Sequence, residues 1–183
     1  MKTIYYTATS LDGFIATTDN SLDWLFRLEG DGTRDYPEFI REIGAIAMGS
    51  TTYEWILDHE KLLEDPSKKW PYEQPVWVFT TRKLPAVPDA DIRFVEGDVR
   101  PVHAEMAAAA NGKNVWVVGG GELVGKFHDH GLLDELIVTI GSVTLGAGAP
   151  LLPRAILPPA LVLESVEAIP PGFAQLRYRV GRG

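Results

Sequence analysis

Val115–Trp116–Val117–Val118–Gly119–Gly120–Gly121–Glu122–Leu123 is an apolar block of strand length that runs into three glycines and then into the spaced apolar residues Leu123, Val124 and Phe127. Four bulky apolar residues in succession suit a strand covered on both faces, as in the middle of a parallel sheet. Glycines at its end remove side chains, so backbone can approach a ligand. A helix opening there offers unused N–H groups and the positive end of its dipole. The stretch therefore predicts a strand, a tight turn and a helix with anion-binding geometry. Two better-known glycine patterns are near misses. GxGxxG fails because Val124 follows Gly119 and Gly121 at the third position, and GxxxxGK[ST] through Gly120, Gly125 and Lys126 meets Phe127 where a magnesium-holding hydroxyl belongs. A glycine turn that only packs helix on strand is the plainer alternative.

Two other strand ends repeat the design. Ala45–Met48 enters a helix through Gly49, Ser50, Thr51 and Thr52, and Val76–Thr80 is followed by Thr81, Arg82 and Lys83. Such ends line one crevice in a doubly wound sheet, which suits an extended polyphosphate. Further strands are predicted at Ile4–Ser10, Ile92–Val95, Glu135–Ile140, Leu161–Val166 and Ala174–Val180, and helices at Asp35–Ile43, Val99–Asn111 and Glu122–His130. Alternation of the two predicts an α/β protein. The turn Ile169–Pro170–Pro171–Gly172 joins the last two strands as an antiparallel hairpin, so the sheet is mixed and mostly parallel. Residues 58–73, charged and carrying Pro66 and Pro71, read as a surface excursion that contacts substrate or a second subunit.

The 183 residues are 45% hydrophobic and 23% charged, which is enough for one domain spanning 1–183 with its own core. The chain has no cysteine, no apolar run near membrane-spanning length, and no continuous apolar core at its start. A cytoplasmic protein without membrane contact is expected. With 25 acidic against 17 basic residues the formal charge is −8, and no basic patch gathers, so nucleic acid is not an expected partner. His128 and His130, two apart on a helix, do not make a metal pair. Trp70, Tyr72 and the closing hairpin expose apolar surface on this reading, and a homodimer is expected.

The order Ala8–Thr9–Ser10–Leu11–Asp12–Gly13–Phe14–Ile15–Ala16, Met48–Gly49–Ser50–Thr51–Thr52–Tyr53–Glu54, Thr80–Thr81–Arg82, Gly119–Gly120–Gly121–Glu122–Leu123, Leu133–Asp134–Glu135–Leu136 and Leu145–Gly146–Ala147–Gly148–Ala149–Pro150–Leu151–Leu152 resembles the dihydrofolate reductase superfamily. More closely, it is similar to stand-alone bacterial proteins like the C-terminal reductase domain of the bifunctional riboflavin-biosynthesis deaminase/reductase. The resemblance implies a three-layer fold with helices on both faces of the sheet, and NADPH as cofactor. It implies that Ala8 and Ile15 flank the nicotinamide, and that Gly119–Gly120 is a cis peptide. Gly120, Gly121, Glu122 and Leu123 would wrap the pyrophosphate, with Val118 and Val124 completing that wall. Gly49, Ser50, Thr51 and Thr52 would form the opposite wall. Thr80, Thr81 and Arg82 would surround the adenosine ribose and its 2′-phosphate, where a guanidinium gives charge-assisted bonds. Thr139 would touch a pterin-like substrate. The chain departs from the family in carrying Ser50 where Arg is usual, Val118 where the riboflavin-pathway enzymes place a glutamate, and Ser142 where proline is usual. Preference for NADPH then rests largely on Arg82.

The implied activity is an NADPH-dependent oxidoreductase transferring hydride to a small pterin-like, phosphoribosylaminouracil-like or carbonyl compound. Asp12 is the candidate proton donor, though Asp-Gly is also ordinary turn chemistry. Asp31 and Asp35 are candidates for the acid beside a pterin, or helix caps. The competing reading is a non-catalytic nucleotide-binding or regulatory module that keeps the crevice.

Overall fold

The apolar block at 115–118 is the interior of strand β6 (Asn114–Gly119), and parallel neighbours lie on both its sides: β1 (Thr3–Ser10) and β3 (Ile43–Gly49). Val115 and Val117 are fully buried, as are Ala45, Ala47 and Tyr5 beside them. The computed structural model describes residues 1–30 and 32–181. Outward from β3 the sheet continues in parallel through β4 (Val76–Phe79) to β5 (Ile92–Val95). Outward from β1 it continues through β7 (Glu135–Gly141), also parallel, to the antiparallel hairpin of β9 (Leu161–Ile169) and β10 (Phe173–Val180). The order is β5-β4-β3-β6-β1-β7-β10-β9. This is the mixed, mostly parallel α/β sheet with a closing hairpin that the sequence predicts.

Two cores flank the sheet. On one face Tyr5, Ala45, Trp77 and Val117 meet α4 (Val99–Ala109) and α5 (Gly121–Asp129) through Met106, Val124 and Phe127. On the other, Ile4, Ile46, Met48 and Trp116 meet α2 (Tyr36–Arg41) and α3 (Ser50–His59) through Phe39, Tyr53 and Ile56. Gly44 lies so close to Ala110 that an added Cβ would sit 2.7 Å from its Cα, so that strand and the end of α4 touch backbone to backbone. Glu135 is buried, and Lys2 (2.7 Å) and Arg177 (2.6 Å) pair with its two oxygens, tying the starts of β1 and β7 to β10.

Three features depart from the sequence reading. A two-stranded sheet of β2 (Phe14–Ala16) and β8 (Ala149–Pro150) and the single turn α1 (Asp23–Phe26) were not foreseen. The stretch 58–73 is less of a surface excursion than its charges suggest, because α3 extends to His59, Leu62 is buried, and Trp70 and Tyr72 pack against the core. Trp70 and Tyr72 therefore offer little open apolar surface. Asp35, read as a helix cap or an acid beside substrate, makes no side-chain cap bond at the start of α2 and accepts the Tyr6 hydroxyl at 2.8 Å; Asp31 lies outside the described residues.

Candidate functional site

The connection after β3 carries α3 over one face toward β4, and the connection after β6 carries α5 over the other face toward β7. Adjacent parallel strands whose helices depart to opposite faces leave a crevice at their carboxyl ends, where open α/β sheets place ligands. A cavity of about 480 Å³ occupies that crevice. Its walls come from Ala8 at the end of β1, the Gly49–Thr52 turn, the Gly119–Leu123 turn, and Ile15 of β2.

The two turns meet across the sheet. A Cβ on Gly49 would stand 3.7 Å from both Gly119 O and Gly120 N, and one on Gly119 would stand 3.5 Å from Thr52 Oγ1. Gly119 has φ 152°, a backbone conformation closed to side-chain-bearing residues, and its bond to Gly120 is cis. A Cβ on Gly120 would have only Ile15 Cδ1 within 4 Å, at 3.9 Å, so the space over this residue is open cleft. Gly121 is different: a Cβ there would come within 2.6 Å of Leu151 O, because the 149–152 segment lies directly on the turn.

Helix termini supply the site's polarity. The N-cap Asp98 of α4 accepts a bond from Arg100 N, but Gly49 and Gly120, the N-caps of α3 and α5, give no side-chain cap bond. The first amides of a helix have no partner within it. In α5 the Leu123 and Val124 amides return to Gly120 O at 2.9 and 3.2 Å, whereas those of Gly121 and Glu122 have no acceptor among the described residues. Two uncapped N-termini facing one cavity make a local anion site within a chain of net negative charge.

Of the residues picked out from sequence, Ala8, Ile15, Gly49, Ser50, Thr51, Thr52, Val118, Gly119, Gly120, Gly121, Glu122 and Leu123 line this one cavity. Val124 is buried behind the turn. Thr80, Thr81 and Arg82 stand beyond Phe79, which does line it; Thr80 Oγ1 accepts Arg82 N, and the Arg82 guanidinium forms a two-pronged pair with Glu54 at 2.9 and 2.7 Å. Thr139 is buried beside the cavity wall strand and accepts Gln175 Nε2 at 3.2 Å. Asp12 is outside the cavity, where its carboxylate accepts Ser10 Oγ at 2.6 Å and the amides of Leu145 and Gly146 at 3.0 and 2.7 Å. Those bonds, the Ser10 hydroxyl first, hold its pKa below the usual carboxylate range, so it is a fixed anion that pins the 143–146 loop.

The sequence reading missed Leu22 and Leu25 around α1, and Trp55 and Tyr72, all of which line the cavity. Trp55 and Ile56 lie one turn into α3, on the side that its first residues already point toward the cleft, and that helical spacing was a usable signal. Tyr72 arrives from the 58–73 stretch, expected as a whole to contact substrate or a second subunit, but no periodicity in that loop marked Tyr72 itself.

A family model described as the RibD C-terminal domain matches residues 1–174. The uncharacterized protein YwjB of Bacillus subtilis (strain 168) is 35% identical over 150 residues, covering 82% of each chain. A solved Shewanella sp. PV-4 protein named for riboflavin biosynthesis superposes over the whole of both chains with a TM-score of 0.77 and 26% identity. A Thermotoga maritima diaminohydroxyphosphoribosylaminopyrimidine deaminase/5-amino-6-(5-phosphoribosylamino)uracil reductase shares the fold over 98% of this chain and 56% of its own, with a TM-score of 0.65 and 18% identity.

Proposed function

Because the chain belongs to the RibD C-terminal domain family, we propose that it is an NADPH-dependent reductase of a small heterocyclic or carbonyl compound. The observation that carries this reading is the meeting of two uncapped helix N-termini across Gly119 and Gly120 at the switch point of the sheet. A diphosphate fits there, with the Ser50–Thr52 amides on one side and those of Gly121 and Glu122 on the other. On either side of it the cleft is lined by Phe79, which ends β4 three residues before Arg82, and by Ala8 of β1 with Ile15. That is the shape a dinucleotide needs, with its adenosine end beside Thr80–Arg82 and its nicotinamide against Ala8 and Ile15.

The nicotinamide supplies hydride chemistry when bound. The chain's part is to hold that ring and an electrophilic C=N or C=O carbon together and to exclude water. Ile15 and Ala8 form the wall behind the ring. Leu22, Leu25 and Trp55 add apolar surface to the same cleft, where the second reactant has room beside the ring. Asp12 does not serve as the acid, since it is outside the cleft and held ionised. The proton comes from solvent or from a neutral donor in the cleft.

NADPH oxidation, followed by absorbance across pterin, uracil-derivative, quinone and aldehyde compounds, tests the proposal. Turnover with at least one class supports it. NADPH binding without turnover of any class favours the regulatory-module reading instead.

A further inference from the structure

Away from the two helix ends, the cleft is lined by Thr7, Ala8, Leu22, Leu25, Trp55 and Tyr72. None of these carries a charge. The charged residues that line the cleft, Glu122 and Lys126, both stand on α5 at the helix-end half. Arg82 is outside it and paired with Glu54, and Arg34 outside it is paired with Glu167. A phosphate placed against this apolar half would lose its hydration and gain neither a cation nor a helix amide in return. A flat ring loses little and covers apolar wall.

Two aromatic residues define that wall. Trp55 stacks on His59 with ring centroids 4.4 Å apart and planes within 15°, and Phe26 stacks on His59 in turn at 5.2 Å, so the indole is held in place from outside the cleft. Tyr72 is fixed edge-on between Trp70 at 5.5 Å and Trp116 at 5.7 Å. The hydroxyls of Tyr5, Tyr6 and Tyr53 each donate inside the protein, to Leu151 O, Asp35 and Pro85 O. The Tyr72 hydroxyl, like those of Tyr36 and Tyr178, has no hydrogen-bond partner among the described residues, and of these three only Tyr72 lines the cavity. Tyr72 is only partly buried, and its hydroxyl is not among the fully buried unpaired polar atoms, so it is open to a ligand in the cleft. Burial, with lesser contributions from Tyr36 and Glu60, pushes its pKa up, so the phenol is a donor throughout the neutral range.

We infer that the second ligand of the cleft is a neutral, unphosphorylated planar ring, walled by Trp55 and accepting a hydrogen bond from the Tyr72 hydroxyl. This rests on the reductase reading. It also separates the chain from a reductase of a phosphoribosyl compound, such as the one the Thermotoga maritima protein is named for.

The test uses the full chain saturated with NADP⁺, so that no turnover occurs, and follows tryptophan fluorescence. Biopterin serves as the neutral ring, and uridine with uridine 5′-monophosphate as a pair differing by one phosphate. Biopterin should bind saturably and about tenfold more weakly to Tyr72→Phe, the expected loss of one hydrogen bond of about 1.4 kcal/mol. The monophosphate should bind no tighter than uridine. Tenfold tighter binding of the monophosphate, equal biopterin affinity in Tyr72→Phe, or no biopterin binding to the wild type would overturn the inference. NADP⁺ affinity is measured first in both proteins. Its absence in the wild type would remove the reductase reading and this inference with it, whereas its presence with any of the other failures would overturn the inference alone.

Discussion

Arg82 and Asp12 show how side-chain partners decide between roles that sequence leaves open. Arg82 stands past the end of β4, as a 2′-phosphate ligand should, yet its guanidinium already has a two-pronged carboxylate partner in Glu54. The phosphate must displace or share that carboxylate. Arg82→Ala should therefore bring the dissociation constants of NADPH and NADH together by about tenfold, and Glu54→Gln should move them apart, both read by calorimetry. Unchanged discrimination in Arg82→Ala would show that the phosphate sits elsewhere. Asp12 was legible as part of a turn or as an acid, and its geometry assigns it to the turn. Its folded pKa is lowered below the unfolded value of about 3.9, so its contribution to stability is present above that value and is lost as pH falls through the lowered one. Asp12→Asn should thus depress the melting temperature at pH 7 and depress it less in acid, below the ordinary carboxylate range. Equal effects at both would mean the carboxylate is not the anchor. Tyr72, by contrast, was legible only as part of a stretch expected to contact substrate or a second subunit, because its own place in the cleft depends on Trp70 and Trp116 and on no local repeat.

At the scale of elements, the buried strands and the two helices that open the cleft were legible, because apolar blocks ending in Gly49 and Gly119 carry their own boundaries. β2, β8 and α1 were not. They hold three, two and four residues, too few to carry a periodic signal, and β2 and β8 pair only because the 149–150 segment folds back onto Phe14–Ala16. The same segment also lies on Gly121 and predicts opposite outcomes for neighbouring glycines. Gly121→Ala would drive a methyl into the backbone of 150–151 and should cost about 1–3 kcal/mol of stability, visible in chemical denaturation. Gly120→Ala projects into open cleft, so it should keep the wild-type denaturation midpoint while weakening NADPH binding. The reverse pattern would mean that the turn does not face the cofactor.

For the whole molecule, what the sequence could not display was the convergence itself. The Ala8, Gly49–Thr52 and Gly119–Leu123 segments, far apart in sequence, meet only because β6 inserts between β1 and β3, and that strand order is a long-range property of the sheet. The convergence makes cofactor binding a global stabiliser. NADPH at one hundred times its dissociation constant should add about 2.7 kcal/mol, which for a chain of this length is about 5–10 °C in melting temperature. The chain's overall negative charge gives no help with a polyanion, so the affinity must arise from the two helix termini and the few donors around them. Titration calorimetry of the wild-type chain with NADPH, and separately with ATP and magnesium, tests that most directly. One saturable NADPH site per chain is expected, lost or severely weakened in Gly120→Ala, with no comparable site for ATP with magnesium. Tight ATP binding with no NADPH binding, or NADPH binding indifferent to Gly120, would contradict it.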